Sequence, residues 1–228
     1  DVPDVGATVH VMTNNDKKLA NTIADDMAEY IWRVREKFAL GQFPLPKTAA
    51  LKTLEAVERG AAPVVLGDYS DRPGDATWLL KELIDNDVSN LMYAALRDEH
   101  ALAALRESNA KPGDRFDRAV GGFTGEQAGS PVRITGTVKY FGEGWGYSEI
   151  AVIEFGEQNL LFLVPTYTQI RTLAPLRIAD LNPDDYDVFV VKSRVHFRRG
   201  FDETGYAKTI MVVDAPGDWF GTTRLNAL

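Results

Sequence analysis

The sequence predicts an α/β fold: a mixed, mainly parallel sheet flanked by helices, with an antiparallel hairpin region in the middle of the chain. Three observations carry this. Between Ala62 and Leu105, short apolar runs and helical spacings follow one another as strand, helix, strand, helix, the order of a parallel sheet with helices packed on it. From Pro131 to Val164, apolar and polar residues alternate and glycines mark the turns, which suits antiparallel strands. Near the end, Asp187 to Val191 and Thr209 to Val213 read as two more buried strands.

Taken in order, residues 7–12 alternate, with Val9 and Val11 on one side and Thr8, His10 and Met12 on the other, and predict a short strand. Asn14, Asn15 and Asp16 offer caps for a long helix. Its apolar positions Leu19, Ile23, Met27, Tyr30, Ile31, Val34 and Phe38 form one stripe expected to face a core. Gly41, Pro44 and Pro46 end that helix. A second helix is expected from Thr48 to Glu58, with Leu51, Leu54 and Val57 facing inward.

Ala62 to Leu66 is a short apolar run rich in β-branched residues, followed by a polar loop and a helix around Thr77 to Ile84. Leu91 to Leu96 predicts another strand, and Glu99 to Leu105 another helix, capped by Asp98. Val132, Ile134, Val138 and Tyr140 alternate with polar residues, and Gly142, Gly144 and Gly146 predict the turn that follows. Ile150 to Phe155 and Leu160 to Val164, split by Gly156-Glu157-Gln158-Asn159, predict a hairpin. The segment Arg194 to Phe201 is expected to be helical.

Of the 228 residues, 45% are hydrophobic and 25% charged, ordinary for a globular chain with one large core or two small ones. A net charge of −8 leaves no broad basic surface for a phosphate backbone or an anionic membrane. The absence of cysteine removes disulfides, thiolate nucleophiles and thiolate metal sites. No apolar run approaches the roughly 20 residues that span a bilayer, and Asp1-Val2-Pro3-Asp4 is unlike a signal peptide. These features lead us to expect a soluble, cytoplasmic protein. The start without methionine, inside a loop, suggests an excised or processed segment.

Two loops concentrate residues suited to chemistry. Gly67 to Thr77 lies between a buried strand and a helix, at the end of a parallel strand where ligands bind. Here Gly74 lets backbone approach a ligand, the helix start after Asp75 offers N–H groups to an anion, and Asp68 and Asp71 can orient a substrate amine or a water. A plainer reading makes Asp75 a helix cap and Asp71 a turn former. The second loop, Lys192 to Arg199, places cations after another buried strand. Lys192 or Arg194 can meet a carboxylate or a developing oxyanion, and His196 can move a proton. Its plainer reading is a solvated helix face with a packed histidine. His10, His100 and His196 are too far apart for a short metal signature, and His10 and His100 read as structural or exposed.

Taken together, these segments resemble the carboxy-terminal half of the microcystinase C (MlrC) family of zinc metallopeptidase-like proteins. The resemblance rests on Asp1 to Gly6 (DVPDVG), Pro63 to Thr77, Val190 to Phe197 (VVKSRVHF) and Val213 to Gly217 (VDAPG), in that order across nearly the whole chain. Arg72 stands where the family commonly has Asn, and the glycine-rich insertion before the closing Gly-Asp is absent. The resemblance implies that residues 1–228 form the carboxy-terminal α/β domain of a larger hydrolase, whose zinc ligands lie in a preceding amino-terminal half. It implies a small peptide or amide substrate and a cleft shared between the halves. His196 and Lys192 would support catalysis there, Asp68, Asp71, Gly74, Asp75 and Arg194 would line it, and no metal ligand would come from this chain. A non-catalytic ligand-binding or assembly domain is the alternative, a metal-independent enzyme using His196 a third reading, and homo-oligomerisation stays open.

Overall fold

The computed structural model describes residues 6–38, 43–217, 219 and 221–223. The chain divides into two compact units, Asp1–Gly41 and Gln42–Leu228.

In the first unit, helix α1 (Lys17–Val34) starts where Asp16 accepts the Leu19 N–H at 2.9 Å, a side-chain cap as expected, and runs into a 3-10 turn at Arg35–Phe38. The expected strand at 7–12 is not formed. Alternation gives a segment two faces, but a strand exists only with a ladder partner, and these residues have none among those described. The stripe on α1 exists but is not core: Leu19, Ile23, Met27 and Tyr30 are exposed. Helical spacing reports amphipathicity and not what covers the apolar face. Gly41, the expected end of the helix, Asp1 to Val5 and the Phe38 side chain lie outside the described residues.

The second unit is built on one sheet. Its strands are β1 (Val64–Asp68), β2 (Leu91–Arg97), β3 (Arg115–Val120), β4 (Val132–Gly144), β5 (Tyr147–Phe155), β6 (Asn159–Val164), β7 (Val188–Val191) and β8 (Thr209–Val213), in the order β3-β4-β5-β6-β2-β7-β1-β8. The pairings β6–β2, β2–β7, β7–β1 and β1–β8 are parallel, and β3–β4, β4–β5 and β5–β6 antiparallel. The mixed, mainly parallel sheet and the antiparallel region of residues 132–164 are therefore as the sequence predicts. Trp145 (φ 55°) and Gly146 (φ 84°) make the glycine-marked β4–β5 turn, both left-handed as a tight hairpin requires.

The apolar runs are strands because both faces are covered. Along β1, Val64 and Leu66 enter one core while Val65 enters the other; in β7, Val188 and Val190 oppose Phe189 and Val191. Helices α2 (Pro46–Glu58), α3 (Trp78–Asp85) and α4 (Glu99–Glu107) contribute to the first core. The second core takes Phe197 and Phe201, the latter from the short helix α5 (Arg198–Phe201). The face of α2 is partly as expected: Leu54 and Val57 pack against the core, but Leu51 is exposed and Ala49, Ala50, Thr53 and Ala56 are the buried residues, because the small side chains let helix and sheet approach closely. Asp98 caps α4 as expected, accepting the Ala101 N–H at 2.8 Å. No helix among the described residues is long and apolar enough to cross a membrane.

Candidate functional site

Parallel strands bring the two chemistry-bearing loops to the same edge of the sheet. Gly67 of β1 is in register with Val191 of β7, so the next residues, Asp68 and Lys192, leave the two strands side by side. Lys192 Nζ lies 2.7 Å from Asp68 Oδ2 and 2.7 Å from Asp71 Oδ2, and donates to the Ala76 carbonyl at 2.8 Å. The ammonium sits 5.1 Å from the centre of the Tyr93 ring. The Lys192 and Asp71 side chains are wholly buried, and the Asp68 carboxylate is 9% open.

Two carboxylates around one buried cation explain the electrostatics. Burial raises the Asp68 carboxyl above its ordinary range; Lys192 pulls it down, and Asp71 adds to the rise. Burial alone would lower Lys192, but Asp68 and Asp71 outweigh it and hold the ammonium well above its ordinary value. Asp71 also accepts the Gly74 N–H at 2.8 Å and the Ala76 N–H at 3.0 Å, so residues 71–76 are wrapped around the ion cluster. Lys192 thus gives hydrogen bonds to Asp68 and the Ala76 carbonyl, and Asp71 pairs with the ammonium as a second carboxylate. Lys192 is therefore the internal counter-ion of the loop, and the substrate carboxylate considered from sequence finds no solvent-open part of it to meet.

Asp75 and Gly74 also take different parts from those expected. Asp75 does not cap α3; its carboxylate accepts Phe123 N–H at 2.9 Å, Thr124 N–H at 3.0 Å and the Thr124 hydroxyl at 2.6 Å, tying the β1–α3 loop to the β3–β4 connection. The residue before α3 is Thr77, whose N–H is given to the Ala128 carbonyl at 2.9 Å. Gly74 has φ 88°, and a Cβ there would lie 2.9 Å from Tyr167 Cδ2, so its small size is needed for packing under that ring.

His196 is exposed, and its tautomer follows from a chain of bonds. The Lys192 carbonyl can only accept, so the Tyr167 hydroxyl donates to it at 3.1 Å. The Tyr167 oxygen therefore accepts from Gln169 Nε2 at 3.2 Å, which turns Gln169 Oε1 toward His196 Nδ1 at 2.9 Å. Nδ1 must carry the proton, and neutral His196 keeps its free lone pair on Nε2. Burial raises the Tyr167 hydroxyl pKa, so it remains a donor at neutral pH.

Arg194 is pinned: its guanidinium lies 4.1 Å from the Tyr69 ring centre, and Nε and Nη2 donate to the Tyr69 and Gly221 carbonyls at 3.0 and 2.7 Å. Three residues at this edge escaped the sequence reading. Tyr167 and Gln169 come from the loop after β6, which carries no motif. Asp214, in the VDAPG stretch after β8, accepts from Ser70 Oγ, while the Ala215 N–H reaches Ser70 Oγ at 2.9 Å. Its place straight after the strand read at Thr209 to Val213 was the signal available, although that strand lies at the sheet edge and is only partly buried up to Val213, not buried throughout as expected.

A metal does not fit these residues. Among the described residues no group of three or more His, Asp or Glu is placed to hold one, and the adjacent carboxylates Asp68 and Asp71 already surround an ammonium.

Three comparisons bear on identity. The family model described as MlrC C-terminus matches residues 70–222. Microcystinase C from Sphingomonas sp. is 30% identical over 144 residues, covering 60% of this chain and 27% of that protein. A crystal structure of a protein named Putative metallopeptidase, from Mesorhizobium sp. BNC1, superposes with a TM-score of 0.68 at 18% identity, over 91% of this chain and 44% of that one. The last likeness is one of fold, and the chain spans less than half the length of either relative. With its fold shared and two thirds of its length matched, the chain belongs to the MlrC C-terminus family.

Proposed function

We propose that this chain is the carboxy-terminal part of a zinc-dependent peptidase or amide hydrolase, lining a substrate cleft completed by a metal-binding amino-terminal part of the same protein. The observation that carries the reading is the exposed His196, held as the Nδ1–H tautomer at the carboxyl edge of the parallel strands, where such folds bind ligands. The metallopeptidase name of the structural relative supports the reaction class, and the lengths of both relatives leave room for a further part.

Bound zinc would polarise the scissile carbonyl and activate water. What this chain supplies is narrower. His196 Nε2 exchanges a proton with, or hydrogen-bonds to, polar groups of the substrate. Gln169 and Tyr167 hold its ring, and the Asp68–Lys192–Asp71 cluster keeps the loop beneath from collapsing.

The test compares this chain with the complete protein, both purified without chelators, for metal content and hydrolysis of a peptide library. Stoichiometric zinc and turnover in the complete protein alone support the shared cleft. Tight zinc binding by this chain places the metal on the wrong side, and a complete protein with neither favours a non-catalytic ligand-binding domain.

A further inference from the structure

Arg72 and Pro73, on the loop that carries the ion cluster, line a groove of about 650 Å³ together with Gln127 of the β3–β4 connection and Trp219 after β8. Its wall is built rather than incidental. Trp219 stacks on Trp78 with ring centres 6.3 Å apart and planes 26° from parallel. Trp78 is itself fixed by its indole N–H, donated to the Gln127 carbonyl at 3.0 Å. Pro73, next to Arg72, adds a rigid apolar surface to the lining. The cation of the groove is Arg72, which is exposed and makes no hydrogen bond or ion pair with any described residue, in contrast to the pinned Arg194.

An apolar, aromatic slot with a guanidinium at its rim that is unpaired among the described residues has a specific complement. The ring faces take an aromatic body by stacking, and the planar fork of Arg72 takes a carboxylate. A cation on a chain of charge −8 is a local exception that favours an anion there. We propose that this groove binds the carboxylate-bearing aromatic end of the substrate, with Arg72 reading the charge and Trp219 and Pro73 holding the ring. The inference rests on the hydrolase reading for the word substrate; the binding itself does not.

The ¹⁵N-labelled chain is titrated with 3-phenylpropionate and, separately, with its uncharged amide, 3-phenylpropionamide, while the indole N–H signals of its four tryptophans are followed. We expect saturable shifts at Trp78 and Trp219, with the acid binding about tenfold or more tighter than the amide. Arg72→Gln should erase that preference, and Trp219→Ala should weaken both probes. Arg72 is a surface residue, so its variant keeps the test open if Trp219→Ala fails to fold. Equal binding of acid and amide, an acid preference that survives Arg72→Gln, or no shift at Trp219 overturns the proposal. Because the readout is binding, an inactive complete protein leaves a positive result standing. Loss of acid preference beside intact hydrolysis removes only the subsite.

Discussion

Lys192 and Asp71 meet at 2.7 Å with both side chains wholly out of solvent, joining the end of β7 to the loop after β1. Removing the cation strands two buried carboxylates, whose desolvation is then uncompensated. Lys192→Met should therefore destabilise the chain by about 3–5 kcal/mol, read as a lower urea midpoint with an unchanged slope. A loss below about 1 kcal/mol would mean that the loop relaxes and admits water.

The same pair sets an alkaline limit. The folded pKa of Lys192 lies above its ordinary 10.5, so its ion pairing stabilises fully below that pH and is lost as pH rises through the raised value. Burial raises the Tyr93 hydroxyl in the same direction. Unfolding free energy measured above pH 10.5 should fall in the native chain and in Tyr93→Phe. In Lys192→Met the lysine-dependent part of that fall should be absent.

Packing beneath the loop is tight at one glycine. A Cβ on Gly67 would stand 2.8 Å from Phe197 Cε1 and 3.1 Å from the Ser193 carbonyl oxygen. Gly67→Ala should cost about 1–3 kcal/mol through overpacking in a thermal melt, and should displace the Ser193–Phe197 segment that carries His196. Native stability would show that Phe197 turns aside freely.

The bond chain from Lys192 to His196 fixes a protonation state that NMR can read. Long-range ¹H–¹⁵N spectra at a pH where His196 is neutral should show it as the Nδ1–H tautomer. Gln169→Leu should release it to the more common mixture. An Nε2–H signal in the native chain would reverse the donor assignment along the whole chain of bonds.

The parallel strands were legible because burial on both faces demands continuous apolar runs rich in β-branched residues, which Val64 to Leu66 and Val188 to Val191 display. Strand β3 was not, since only Phe116 and Val120 of it are buried. Its charges, with Asp117 paired to Arg115 and Arg133, belong to an edge strand and mask any alternation. Both site loops could be read, but not their meeting. Asp68 and Lys192 are 124 positions apart, and only the strand order β7-β1 makes them neighbours. The role considered for Lys192 treated its side chain as free and that for Asp75 paired it locally with its own helix, whereas their partners come from loops remote in sequence. Tyr167 and Gln169 were hidden for the same reason.

The most direct measurement is kcat/KM with metal content for His196→Ala in the complete protein. If His196 serves the substrate from this side of the cleft, metal content stays at the native level while kcat/KM drops by about 100-fold or more. Unchanged turnover would contradict the shared cleft, and loss of metal together with activity would make His196 a ligand and move the metal into this chain.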